Sequence, residues 1–246
     1  MARFFIAQRN LRENEGLITG QELQHLSRAL RLGPGDPVTF FDESGREYEG
    51  VIRSVTESVA RIEILRSYEV NRESPLEVTL AAGLTKGDKM DLVVEKATEL
   101  GVRTVVPFVS NYTVPKLDPE KMAKRSRRWR KIALNAAKQC GRTRVPAIGE
   151  LCDFRELVKQ PTEGALRLLF WERAARQTLN QVHSTESAVQ AVLAVVGPEG
   201  GLSVDEANLA EAHGFKLVGL GHRVLRAETA AVAVMSLVQF LWGDLS

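Results

Sequence analysis

Metal-ligand clusters are missing from this chain. Its two cysteines, Cys140 and Cys152, form no CxxC pair, and His25, His183, His213 and His222 include no pair at metal-ligand spacing. A metal site is therefore not expected. The cysteines read as reduced, partly buried side chains of a cytosolic protein. Two nucleotide fingerprints are also missing: there is no GxGxxG and no GxxxxGK[ST]. No long apolar run occurs. Residues 230–242 come nearest, but Ser236 and Gln239 interrupt them, and they fall short of the ~20 residues a bilayer requires. Arg9 and the charged stretch 12–15 follow residues 4–7 too soon for a signal peptide, so a cytoplasmic location is expected. Neither sign of charge dominates: 33 Lys and Arg face 31 Asp and Glu, for a net +2. Overall charge thus points to no partner, and only its distribution can. At 246 residues the chain has room for one large domain or two modest ones.

The first seventy residues read as β-rich. Residues 4–7 suit a strand. Thr19 opens a helix with Glu22 at the capping-box position, and Leu23, Leu26 and Leu30 share one face. Gly33, Pro34, Gly35 and Asp36 break that helix. Strands follow at 37–41, 46–55 and 59–65. Five to six short strands with one helix suit a small barrel, and 71–75 reads as a linker. Beyond it strands and helices alternate. Strands are expected at 77–82, 103–109, 166–171, 192–196 and 215–220, and helices at 88–100, 118–140 and 227–242. Several strands are apolar on both faces, the mark of a parallel sheet covered by helices, so the fold class is α/β.

Two loops stand out. The apolar strand at 192–196 runs into Gly197, Pro198, Glu199, Gly200 and Gly201, and Ser203 then opens a helix with Glu206 as its capping-box acid. A strand, a glycine turn and a helix N-terminus together bring backbone N–H groups to a small ligand. The plainer alternative is a tight connection that needs glycine for φ > 0. About twenty residues on, Leu220, Gly221, His222, Arg223, Val224, Leu225 and Arg226 join another apolar strand to the terminal helix. The pair of loops favours a ligand site.

Basic residues concentrate on the 118–141 helix and just after it: Lys121, Lys124, Arg125, Arg127, Arg128, Arg130, Lys131, Lys138, Arg142 and Arg144. Met122, Trp129, Ile132, Ala136 and Cys140 form its apolar stripe. A solvated face usually mixes in acids. This one does not, which favours a phosphate-facing surface. The N-terminal region adds Arg3, Arg9, Arg12, Arg28 and Arg31. Phe4 and Phe5 beside them suit a core, with base stacking as the alternative.

The GPEGG loop followed by LGxRVLRxET resembles the SPOUT-class methyltransferases, and the whole chain resembles the 16S ribosomal RNA uracil-N3 methyltransferase family. Further residues that carry the resemblance are Arg3-Phe4-Phe5, the stretch 25–31, Gly35-Asp36, Lys86-Gly87-Asp88-Lys89-Met90, the stretch 96–102, Trp129 and Gln139-Cys140-Gly141-Arg142. Three positions depart from the family pattern. Lys138 stands where Glu is frequent, Asn111-Tyr112 where an Arg-bearing turn is common, and Ala227 where Thr is usual.

The resemblance implies a PUA-like, RNA-binding β-barrel over 1–72. Over 73–246 it implies a SPOUT domain whose last helix threads an earlier loop as a trefoil knot. It implies S-adenosylmethionine bound in a bent shape by three loops: Phe170, Trp171 and Glu172; Gly197, Pro198, Glu199, Gly200 and Gly201; and Leu220, Gly221, Val224, Leu225 and Arg226. No metal is implied. The implied substrate is 16S ribosomal RNA in the small subunit, with Arg3, Arg9, Arg28, Arg31, Lys86, Arg127, Arg128 and Arg142 as its contacts. A homodimer is implied as well, consistent with a terminal helix that is apolar on more than one face. Uracil N3 carries a proton and must lose it to become a nucleophile. Arg226 is the candidate to stabilise the resulting anion. Glu199 and Glu228 are candidate proton acceptors. Glu199 is equally a candidate to hold a ribose hydroxyl or shape its helix, and Glu228 to complement its helix dipole. Two other readings remain: a ribose 2′-O-methyltransferase, and a non-catalytic ribosome-assembly protein on the same fold.

Overall fold

A computed structural model describes residues 2–42, 44–113, 118–173 and 177–245. The chain divides into two compact units. The first comprises Met1–Glu73 with Ala137–Val145, and the second Ser74–Ala136 with Pro146–Ser246.

The first unit is built on β1 (Arg3–Phe5), β2 (Glu15–Thr19), α1 (Gly20–Gln24), β3 (Pro37–Phe41), β4 (Arg46–Val55) and β5 (Val59–Glu69). The strands form one sheet in the order β1-β3-β4-β5-β2, with only the β1–β3 pair parallel. Alternation puts Val38 and Phe40 of β3, and Ala60 and Ile62 of β5, into a core with Phe4, Ile6, Ile18, Leu23, Leu26 and Ile52. Register shifts at Glu49/Gly50 and Ile52/Ser54 curl the long β4–β5 pair. Phe4 is fully buried, and Phe5 packs edge-on against Phe41 at 5.4 Å.

The region around α1 departs from the sequence expectation. Thr19 does sit at the N-cap, but its side chain makes no cap bond. Glu22 is engaged elsewhere, accepting from the Phe5 N–H at 3.2 Å and the Lys138 ammonium at 2.8 Å. The helix gives way to a π-turn over His25–Ala29, which turns Leu30 out to solvent while Leu23 and Leu26 stay inside.

In the second unit come β6 (Glu77–Gly83), α2 (Lys89–Glu99), β7 (Thr104–Val109), α3 (Pro119–Cys140), β8 (Ala147–Ile148), β9 (Cys152–Asp153), α4 (Phe154–Lys159), β10 (Leu166–Phe170), β11 (Gln177–Thr178), α5 (Leu179–Thr185), β12 (Ala191–Val196), α6 (Val204–Ala212), β13 (Lys216–Gly219) and α7 (Ala227–Trp242). The last turn of α3, from Ala137, is counted in the first unit. All strand pairs are parallel, in the order β11-β13-β10-β12-β6-β7-β8, with β9 also on β7. Both faces are covered. Phe154 and Leu157 of α4 and Ala207 and Ala210 of α6 join Leu169, Leu193 and Val195 in one core, while α7 packs on α2, β6 and β12. This double cover is why Val192–Val196 is buried without a break. Among the described residues, no helix is long and apolar enough to cross a membrane. Cys140 and Cys152 are free and partly buried, and burial followed by the nearby Glu156 and Asp153 raises the Cys152 thiol pKa.

Candidate functional site

The carboxyl ends of β10, β12 and β13 lie side by side, because β10 pairs with both of the others. In open α/β sheets that is where loops converge on a ligand. Here the three loops enclose a cavity of about 500 Å³, well within the range of small-molecule sites. Phe170, Trp171 and Glu172 enter it from β10. Gly197, Pro198, Glu199, Gly200 and Gly201 enter from β12. Leu220, Gly221, Val224, Leu225 and Arg226 enter from β13. Every residue singled out for the three loops is thus on one wall or another of a single cavity.

Local chemistry fixes each loop. Gly201 N–H donates to the Pro198 carbonyl at 2.8 Å, closing a turn with Gly201 at φ +71°. Ser203 caps α6 with a full capping box to Glu206, as the sequence predicts. Glu206 is buried and also accepts from the Asn111 N–H at 2.8 Å, while the Asn111 amide reaches Ser203 Oγ at 3.2 Å. Asn111-Tyr112 is therefore a brace for the glycine loop. A Cβ on Gly200 would come within 2.7 Å of Tyr112 Cβ, and one on Gly83, at the end of β6, would collide with Pro198. Trp171 is buried, and its indole N–H donates to the Leu202 carbonyl at 3.1 Å, tying the first loop to the second.

Glu199 and Glu228 occupy different surroundings. Glu199 accepts from the Lys86 N–H at 3.2 Å and the Lys89 ammonium at 3.0 Å. Burial pushes its pKa up, but these bonds outweigh burial and hold the carboxyl below its ordinary value. It is anchored as an anion and correspondingly weak as a base. Glu228 stands in the first turn of α7, outside the cavity lining, 3.9 Å from the Lys89 ammonium. Its place suits the dipole-complementing role, the plainer of the two that the sequence offered. Arg226 is on the cavity wall at the N-cap of α7.

The residues expected to touch RNA fall into two groups. Arg9, Arg28, Arg31, Lys86 and Arg127 are exposed, Arg31 with the unusual φ of +54°. Arg3 and Arg142 are engaged within the protein. Arg3 pairs with Glu47 at 3.0 Å, donates to the carbonyls of Ala137 and Arg142, and lies 4.2 Å over the Phe41 ring. Arg142 is buried on Glu73 at 2.6 Å. Arg128 sits between them: it remains over half exposed but is bonded to Asp91 at 2.6 Å. The partner of Arg128 thus comes from α2, and Asp91 also accepts from the Trp129 indole at 3.1 Å.

Sequence reasoning passed over Arg173, Val196 and Ala230 in the lining, and gave no role to Lys89 behind it. Ala230 follows Arg226 by one helical turn and was recoverable from that spacing. Among the described residues, no three His, Cys, Asp or Glu side chains gather as a metal site.

Known proteins carry the same architecture. Residues 72–239 match the RNA methyltransferase domain family, and residues 18–65 match the RNA methyltransferase PUA domain. The ribosomal RNA small subunit methyltransferase E of Bacillus subtilis is 31% identical over 98% of this chain and 96% of its own. A protein of that name from Neisseria gonorrhoeae, crystallised with S-adenosylmethionine, superimposes with a TM-score of 0.90 at 32% identity, covering all of both chains. A Legionella pneumophila methyltransferase with the same bound cofactor gives 0.92 at 32% identity over 99% of each chain. With one family profile spanning most of its length and relatives matched end to end, the chain belongs to the RNA methyltransferases, in the family of the ribosomal RNA small subunit methyltransferases E.

Proposed function

We propose that this protein methylates N3 of a uridine in 16S ribosomal RNA, using S-adenosylmethionine held by the three loops. One observation carries the reading: the loops that resemble the family's cofactor loops converge, complete, on one cavity of suitable size. The donor set also fits the ligand. Phe170, Val196, Leu220 and Leu225 offer apolar walls for an adenine, and the glycines allow close backbone approach. Glu172 and Glu199 line the cavity together with Arg173, Arg223 and Arg226, matching a molecule that carries an ammonium, a carboxylate and a sulfonium. Bound there, the cofactor supplies an electrophilic methyl group.

The chain's own task is to make uracil N3 available. Losing the N3 proton to solvent water spreads negative charge over O2 and O4. The Arg226 guanidinium, at the cavity and on the N-cap of a sixteen-residue helix, is placed to offset that charge. Phosphate contacts are assigned to Arg9, Arg28, Arg31, Lys86 and Arg127, the exposed members of the expected set. The domain plan follows: 1–72 binds RNA as a PUA-like module and 73–246 is the methyltransferase domain. A knotted SPOUT topology belongs to the same reading and is supported by α7, the last element, lying against α2, β6 and β12. A homodimer is part of it as well. Leu237 and Phe240 of α7 and Val224 of the cavity loop are exposed apolar side chains that a second copy would cover. Cytoplasmic ribosomal RNA is the natural location of such a substrate. Nucleoside analysis of small-subunit RNA after incubation with the protein and labelled cofactor tests the reading.

A further inference from the structure

Lys89 is the first residue of α2, far in sequence from all three cavity loops, yet its ammonium lies between two of their carboxylates. Glu199 of the glycine loop is at 3.0 Å and Glu228 of the first turn of α7 at 3.9 Å. The turn that delivers it is itself fastened: the Lys86 N–H bonds Glu199, and the Arg125 guanidinium reaches the carbonyls of Thr85 and Gly87. Glu228 Oε2 is buried and has no hydrogen-bond partner. A buried carboxylate oxygen in that state depends on nearby positive charge for its stability.

We propose that Lys89 is a positioning residue that holds the cofactor cavity in shape by clasping Glu199 and Glu228 together. The two carboxylates belong to different cavity elements. Glu199 lies within the glycine loop, and Glu228 follows the lining residues Arg226 and Ala227. Without the cation, two like charges would face each other across the gap, and the glycine loop and the α7 N-terminus would separate. The clasp works from behind the wall, since Lys89 is not among the lining residues.

The inference rests on the cavity being the S-adenosylmethionine site, so the test separates the two. Calorimetric titration with S-adenosylmethionine is run on the wild type, Lys89→Met, Lys89→Arg and the double variant Lys89→Met/Glu228→Gln, with a thermal melt of each unliganded protein. Binding by the wild type is expected. Lys89→Met should weaken it at least about tenfold, Lys89→Arg should stay within about threefold of wild type, and removing one carboxylate in the double variant should recover most of the loss. A wild type that does not bind overturns the cofactor reading and the clasp with it. A wild type that binds and a folded Lys89→Met that binds equally well overturn the clasp alone, as does a double variant no better than Lys89→Met. If Lys89→Met lacks a cooperative melt, the double variant decides: a recovered melt and recovered binding support the clasp, and continued failure contradicts it.

Discussion

Arg226 and Gly200 show how much a single position is asked to do. Arg226 belongs to the cavity wall and also starts α7 through its carbonyl, which accepts from the Ala230 N–H at 2.8 Å. Truncating the side chain leaves that backbone bond in place. Arg226→Ala should therefore lower kcat by about 10²-fold or more, the scale of losing one oxyanion-type donor, with a smaller effect on RNA affinity. Equal losses in both would make Arg226 a binding residue. Gly200→Val should abolish cofactor binding, with a reason in the wall behind the loop: its branched side chain would drive into Tyr112. Overpacking of this kind costs about 1–3 kcal/mol, so the melting temperature should fall as binding is lost. A stable variant that still binds would show that the loop can shift away from Tyr112.

At the scale of elements, α3 combines a packed face with a charged one. Trp129, Ala133, Ala136 and Ala137 are buried, and Lys124, Arg127, Arg130 and Lys131 are exposed. Arg127→Glu should weaken RNA binding and flatten its salt dependence by about one phosphate contact, leaving cofactor affinity unchanged. Arg128→Glu should in addition lower thermal stability, because Arg128 is bonded to the Asp91 that also holds Trp129. If both variants keep wild-type RNA affinity and salt slope, the basic face is only a solvated surface. The long elements were legible in the sequence for physical reasons. The strand from Ala191 to Val196 and the helix from Ala227 to Trp242 have clear apolar patterns with glycine or capping boundaries. Short ones were not. The two-residue strands β8, β9 and β11 show no period, β2 is a five-residue piece with a glycine inside, and α5 has just Leu179 and Val182 to mark its buried side. Within the site, the loops at 197–201 and 220–226 could be read from strand–glycine–helix order, whereas Phe170, Trp171 and Glu172 followed from the family resemblance alone. The roles of Lys89, Arg3 and Arg142 could not, because their partners lie far along the chain and neither pattern nor propensity encodes such pairings.

For the molecule as a whole, 137–145 is a part of the first unit that no domain boundary in the sequence announces. Arg3, Glu22, Arg72 and Glu73 bind Ala137, Lys138, Gly141 and Arg142 there. Deleting residues 1–70 would remove Glu22 from Lys138 and leave the Ala137 and Arg142 carbonyls without the Arg3 guanidinium, so truncation should lower stability as well as weaken RNA binding. Sedimentation at micromolar concentration should give a species of twice the 27.2 kDa chain mass. A single 27.2 kDa species would contradict the dimer and leave the exposed side chains of Leu237 and Phe240 without a cover. The central claim is the reaction itself. Its most direct test is tritium transfer from S-adenosylmethionine to small subunits of a strain lacking the modification, followed by nucleoside mass spectrometry. The account predicts label in N3-methyluridine. Label in a 2′-O-methyl nucleoside, or none in the RNA, would contradict it.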